Sequence, residues 1–194
     1  MSTLSQQEIM DCVSIDKVTK IHIPGGAWDE TLAEFDSHHL DSIDVMLEND
    51  GPGQGRITIT CYGKAWTSYW GAMGKDKTIA EFFCSCDRWY LAGNLDSSLQ
   101  EKITDKDALV EEAKKGVIQR RRDLDLDEHD ARRAYDDIDG MSGEELYENH
   151  DLLSDAFGTE WYFDLPQTLN PDHEYLQKII MVVKVVLREK LLSF

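Results

Sequence analysis

The sequence predicts an α+β fold: a small antiparallel β-sheet with a packed helix, followed by an acidic helical region and an apolar C-terminal helix. Two observations predict it. Apolar residues near the N-terminus alternate with period two, as half-buried strands require. Beyond Leu95 the apolar spacing becomes helical throughout and cap signals recur. The expected organisation is residues 1–96 as a sheet-and-helix unit and 97–194 as a helical region packed with it into one compact body. A chain of 194 residues with five Trp and 41% hydrophobic residues has the means to build a core of that kind.

In the first strand Val13, Ile15, Thr19, Ile21 and Ile23 fall on one side, and Lys17 breaks that side, so the strand starts late. Ile43, Val45 and Leu47 form the second strand; Ile57, Ile59 and Cys61 form the third. Between these two, Asn49 to Gly55 reads as a hairpin loop, because Gly and Asn tolerate positive φ. A phosphate cradle would need a helix after those glycines, and a strand follows instead. Trp66 to Gly74 is aromatic, with only Lys64, Lys75 and Lys77 nearby, so it reads as core and loop packing rather than a base-stacking platform.

Thr78 and Glu81 form a capping box that opens one helix, carrying Ile79, Phe82, Phe83, Cys86 and Tyr90 as a stripe and stopping at Gly93-Asn94. Asp105 to Arg122 is the next helix, its terminal arginines suited to the negative end of the helix dipole. Asp127 caps a helix with Ala131, Ala134, Tyr135 and Ile138. Ser142 and Glu145 open another with Leu146, Tyr147, Leu153 and Phe157. Asn170-Pro171 starts the last helix, which runs nearly to Leu192. That helix is apolar over more than one stripe, with Gln177, Lys178, Lys184, Arg188 and Glu189 marking a wet side. It is therefore either the central helix of the fold or the contact of a homodimer.

The net charge is −18, and it is concentrated. Residues 123–174 hold 17 acidic side chains against Arg132 and Arg133 alone. Within that stretch Asp123, Asp125, Asp127, Glu128, Asp130, Asp136, Asp137, Asp139, Glu144, Glu145, Glu148, Asp151 and Asp155 are the candidate partner-binding residues. Carboxylates fixed on capped helices present a field like that of a nucleic-acid backbone, and would engage a basic, nucleic-acid-binding protein. The competing reading is a solvated face that only aids solubility, relieved by the i, i+4 pairs Glu128–Arg132 and Arg133–Asp137. Direct contact with a nucleic-acid backbone is disfavoured at this charge.

Metal and thiol chemistry form the alternative. Cys84 and Cys86 with His38 and His39 would be a zinc site or a cysteine-dependent enzyme, but the spacing fits core thiols better. Asp137, Asp139 and Glu148 mimic a calcium loop, yet Met141 and Ser142 occupy positions that need an oxygen ligand and glycine. No cofactor and no catalytic residue are expected. The N-terminus has no basic, apolar leader and the tract Ile179 to Val186 is too short and too charged to span a bilayer, so reduced thiols in a cytoplasm are expected.

Gly51-Pro-Gly-Gln-Gly-Arg-Ile-Thr-Ile-Thr-Cys-Tyr-Gly63, then Ala65-Trp66, Tyr69-Trp-Gly-Ala-Met-Gly74 and Ile79-Ala-Glu-Phe-Phe-Cys-Ser-Cys-Asp87, resembles a family of small proteins of tailed bacteriophages and prophages. The resemblance covers Gly51 to Leu95. It implies a phage gene product made in a bacterial cytoplasm and brings no chemistry to any residue. Small acidic phage proteins that mimic nucleic acid against restriction or CRISPR systems are an analogy of class for the acidic half.

Overall fold

A computed structural model describes residues 18–27 and 39–191. The chain divides into two compact units: Met1–Leu99 with Tyr175–Phe194, and Gln100–Glu174. Within the described residues it is α+β, as its sequence predicts.

The first unit is built on strands β1 (Thr19–Ile23), β4 (Ile43–Gly51), β5 (Gln54–Cys61) and β6 (Lys64–Trp70), hydrogen-bonded in that order and antiparallel throughout. Two two-residue strands, β2 (Gly26–Ala27) and β3 (His39–Leu40), pair with each other. The period-two pattern works as expected. Ile43, Val45, Leu47, Ile57, Ile59 and Cys61 are buried, and the register sets Val45 opposite both Ile21 and Ile59. Of the first strand's apolar side, Val13 and Ile15 lie outside the described residues.

The hairpin between β4 and β5 turns at Pro52-Gly53. Gly53 has φ +69°, and a Cβ there would stand 2.3 Å from the carbonyl oxygen of Gly74. The close approach lets Met73 N–H donate to the Gly53 oxygen at 2.8 Å. The aromatic stretch packs on the core as expected, its first part as strand β6, where Trp66 and Trp70 are buried and Tyr69 points outward, and residues 71–74 as the loop after it, with Met73 buried.

The helix opened by Thr78 is in fact two, α1 (Ile79–Ser85) and α2 (Arg88–Leu95). The capping box forms, with Glu81 accepting from Thr78 N–H and hydroxyl at 2.8 Å each. The break comes at Cys86, which is extended, because the Asp87 carboxylate takes the Tyr90 N–H at 2.8 Å and starts a new helix. Gly93 and Asn94 lie inside α2, which stops at Leu95 with Asp96 as its cap.

The second unit opens with β7 (Lys102–Thr104), which pairs antiparallel with β8 (Gln167–Leu169). Between them run α3 (Lys106–Arg122), α4 (Glu128–Asp139), α5 (Gly143–Tyr147), α6 (His150–Phe157) and a 3-10 turn, Trp161–Phe163. Helix α3 is the spine and packs against α4, α5 and α6. Leu109, Ala113 and Val117 meet Ala131, Ala134, Ile138, Leu146, Leu153 and Ala156 in the core. Arg120 at its end donates to the Ser154 and Asp155 carbonyls at 2.6 and 3.1 Å. The helix expected from Ser142 to Phe157 is also split, because Asn149 accepts from Leu152 N–H and caps α6 afresh.

Asn170 caps the last helix, α7 (Pro171–Leu191), by accepting from Asp172 N–H at 3.0 Å. From Tyr175 onward α7 belongs to the first unit, where Leu176, Ile179, Ile180, Val182, Val183 and Leu187 are at most 1% exposed. Its wide apolar surface is therefore the centre of that unit's core. Gln177, expected on the wet side, is instead 2% exposed, and its amide Nε2 has no hydrogen-bond partner.

Candidate functional site

The acidic residues separate by what holds them. Asp127 is the N-cap of α4 and accepts from Asp130 N–H at 2.8 Å, which lowers its pKa from the usual carboxylate value. Glu145 accepts from the Ser142 N–H and hydroxyl at 2.9 and 2.8 Å and is lowered for the same reason. Asp123 accepts from the Gln119 side-chain amide at 2.9 Å.

Cations of α3 take several more. Asp125 lies 3.9 Å from Arg120, Glu128 3.9 Å from Arg121, Asp139 2.5 Å from Lys114 and Glu144 2.6 Å from Lys106. Asp130 pairs with Arg133 at 3.3 Å. The spacings Glu128–Arg132 and Arg133–Asp137 are thus not the ones used. Arg121 from the neighbouring helix reaches Glu128 first, and Arg133 turns back by three residues.

Asp136, Asp137, Glu148 and Asp151 are exposed, and Asp155 is half-buried. None of these five carboxylates has an ion pair among the described residues. Arg132 and Arg133, both exposed, interrupt the carboxylates of α4. Three acids do come together: Glu145, Glu148 and Asp151, with Asn149 and His150, line a hollow of about 470 Å³ at the α5–α6 corner.

Next to that hollow stands a feature that no spacing pattern in the sequence marks. The His150 ring lies 5.1 Å from the ring of Trp161, which opens a run of three consecutive aromatics. Trp161 packs on the core of the unit, whereas Tyr162 is 54% and Phe163 73% exposed, their rings 4.4 Å apart. The signal was compositional: Trp-Tyr-Phe between Glu160 and Asp164 has no helical or strand period to explain it.

Of the alternative constellation, only the two cysteine side chains fall within the described residues. His38 and the side chain of His39 lie outside the described residues, and among the described residues no three His, Cys, Asp or Glu side chains are placed to hold a metal ion. Cys84 donates to the Lys184 carbonyl at 3.7 Å and Lys184 Nζ to the Cys86 carbonyl at 2.5 Å. Burial pushes both thiols up, away from the thiolate that attack or ligation needs. The calcium-like spacing is not a loop either: Asp137 and Asp139 sit in α4, and Glu148 follows α5 as its cap.

A family model described as a phage family matches residues 17–189. The chain belongs to this phage family. The match runs through both units, well beyond the segment whose wording resembles phage proteins. No curated protein and no solved structure matches the phage protein. Among its described residues no helix is long and apolar enough to cross a membrane.

Proposed function

We propose that this phage protein acts in the bacterial cytoplasm, without catalysis, by binding a basic, nucleic-acid-binding protein of the host or phage through its acidic helical unit. Competition with nucleic acid for that partner, as in a block on restriction or CRISPR machinery, is the sharper form of the reading. The observation that supports it best is the set Asp136, Asp137, Glu148 and Asp151: exposed carboxylates, three on capped helices and Glu148 at the cap between two, with no cation of their own unit on them. Charges placed so do little for the fold and keep their field for a partner. The remaining acids have structural partners, so they contribute less to such a field than their number implies.

The test is a pull-down from bacterial lysate, with and without infecting phage, at low and moderate salt. The control variant carries Asp136→Asn, Asp137→Asn, Glu148→Gln and Asp151→Asn, leaving Asp139, Glu144 and Glu145 to their structural partners. A basic nucleic-acid-binding protein retained by the wild type, released by salt and lost in the variant supports the reading. Equal retention by both proteins sinks it, and the acids are then a solvated face.

A further inference from the structure

We infer that the exposed aromatic turn Trp161–Phe163, with the carboxylate-lined hollow beside it, is a docking surface for an arginine-bearing segment of a partner protein. The inference rests on the basic-partner reading and gives it a contact chemistry. Two large rings left in water at 54% and 73% exposure, side by side, need a reason. They are held rather than floppy. Phe163 N–H donates to the Glu160 carbonyl at 3.0 Å, Asp164 N–H to the Trp161 carbonyl at 3.1 Å, and Trp161 is anchored in the core. The surface is thus organised before anything binds.

Charge decides the occupant. Glu148 and Asp151 line the hollow together with His150, whose ring lies 5.1 Å from that of Trp161, and Glu160 and Asp164 bracket the turn in sequence. Phosphate-bearing ligands are repelled there, and a purely apolar segment would leave these carboxylates without partners. A guanidinium satisfies both features: its plane stacks on an aromatic face while its N–H fork reaches a carboxylate. An ammonium has the charge but not the plane, so arginine is selected over lysine.

The experiment titrates full-length protein into two fluorescein-labelled 12-residue peptides of alternating Gly and Arg or Gly and Lys, at low salt. The arginine peptide is expected to bind about fivefold tighter, the scale of one or two stacked guanidinium contacts. The Tyr162→Leu/Phe163→Leu variant keeps apolar bulk and deletes the ring faces; it should lose that preference and leave the lysine peptide unchanged. The Glu148→Gln/Asp151→Asn variant should weaken both peptides. Equal wild-type affinities, no binding of either peptide, or a preference that survives loss of the rings overturns the inference. A wild-type dimer that becomes monomeric in the ring variant also overturns it, by giving the patch to a second copy of the chain. None of these outcomes touches the basic-partner reading, which the pull-down decides separately.

Discussion

Gly116, in the middle of α3, lies directly against the backbone of Ala156 in α6: a Cβ on it would stand 2.5 Å from the Ala156 carbonyl oxygen. Helix propensity alone says that alanine here should add about 1 kcal/mol. Forcing two packed backbones apart costs about 1–3 kcal/mol, so the clash wins. Gly116→Ala should therefore lower the urea midpoint followed by far-UV circular dichroism. A higher midpoint would mean that α3 and α6 do not pack so closely.

What the sequence made legible follows from which interactions are local. The alternation at Ile43–Leu47 and Ile57–Cys61, and the capping boxes at Thr78 and Ser142, are written in neighbouring residues and were readable. The breaks at Cys86 and Glu148 were not, because Asp87 and Asn149 interrupt apolar spacing that continues on either side. Strands β7 and β8, at three residues each, are too short to show a period. The division of the acids depends on tertiary partners such as Lys106 and Glu144, 38 positions apart, which no spacing rule pairs. The aromatic turn was visible only as composition.

Tyr175 should mark the alkaline limit of the first unit. Its hydroxyl donates to Asp41 at 2.8 Å and lies 3.5 Å from the Cys61 sulfur. Burial, first, and then these two neighbours hold its pKa far above the usual tyrosine value. The folded state thus prefers the neutral phenol. The stability this gives is complete below about pH 10 and is lost as pH rises through the higher folded value. Tyr175→Phe should remove a late-ionising component from the absorbance titration at alkaline pH. If the titration is unchanged apart from one fewer ordinary tyrosine, the hydrogen bond to Asp41 is absent.

Acid should act through the caps. Backbone N–H donors lower Glu81, Asp127 and Glu145, at the N-termini of α1, α4 and α5. For a depressed carboxylate the stability is present above the unfolded pKa, near 4, and disappears as pH falls through the folded value. Helix content should therefore hold down to about pH 4 and fall below it. Asp127→Asn with Glu145→Gln keeps neutral side-chain oxygens as acceptors while removing the charge. That variant should shift the acid transition to lower pH with little change at pH 7, measured by the ellipticity at 222 nm. An unshifted transition would put acid sensitivity elsewhere.

The carboxylates without partners make the opposite prediction from those that have them. Lys114 joins Glu111 and Asp139 at 3.3 and 2.5 Å, so Asp139→Asn removes an attraction between α3 and α4 and should lower Tm. Asp136, Asp137, Glu148 and Asp151 add to the repulsion in a stretch with 17 acids and two bases, and of the four only Asp151, in the first turn of α6, gains from a helix dipole. Replacing these four with their amides should raise Tm by about 2–4 °C at low salt, through loss of like-charge repulsion. The gain should shrink as added salt screens the same charges in the wild type. Side chains that cost the fold stability and still stand exposed on the helices and their caps are the ones expected to act on something outside it. If the four amides instead lower Tm at every salt concentration, these acids belong to the fold, and the case for a partner loses its main support.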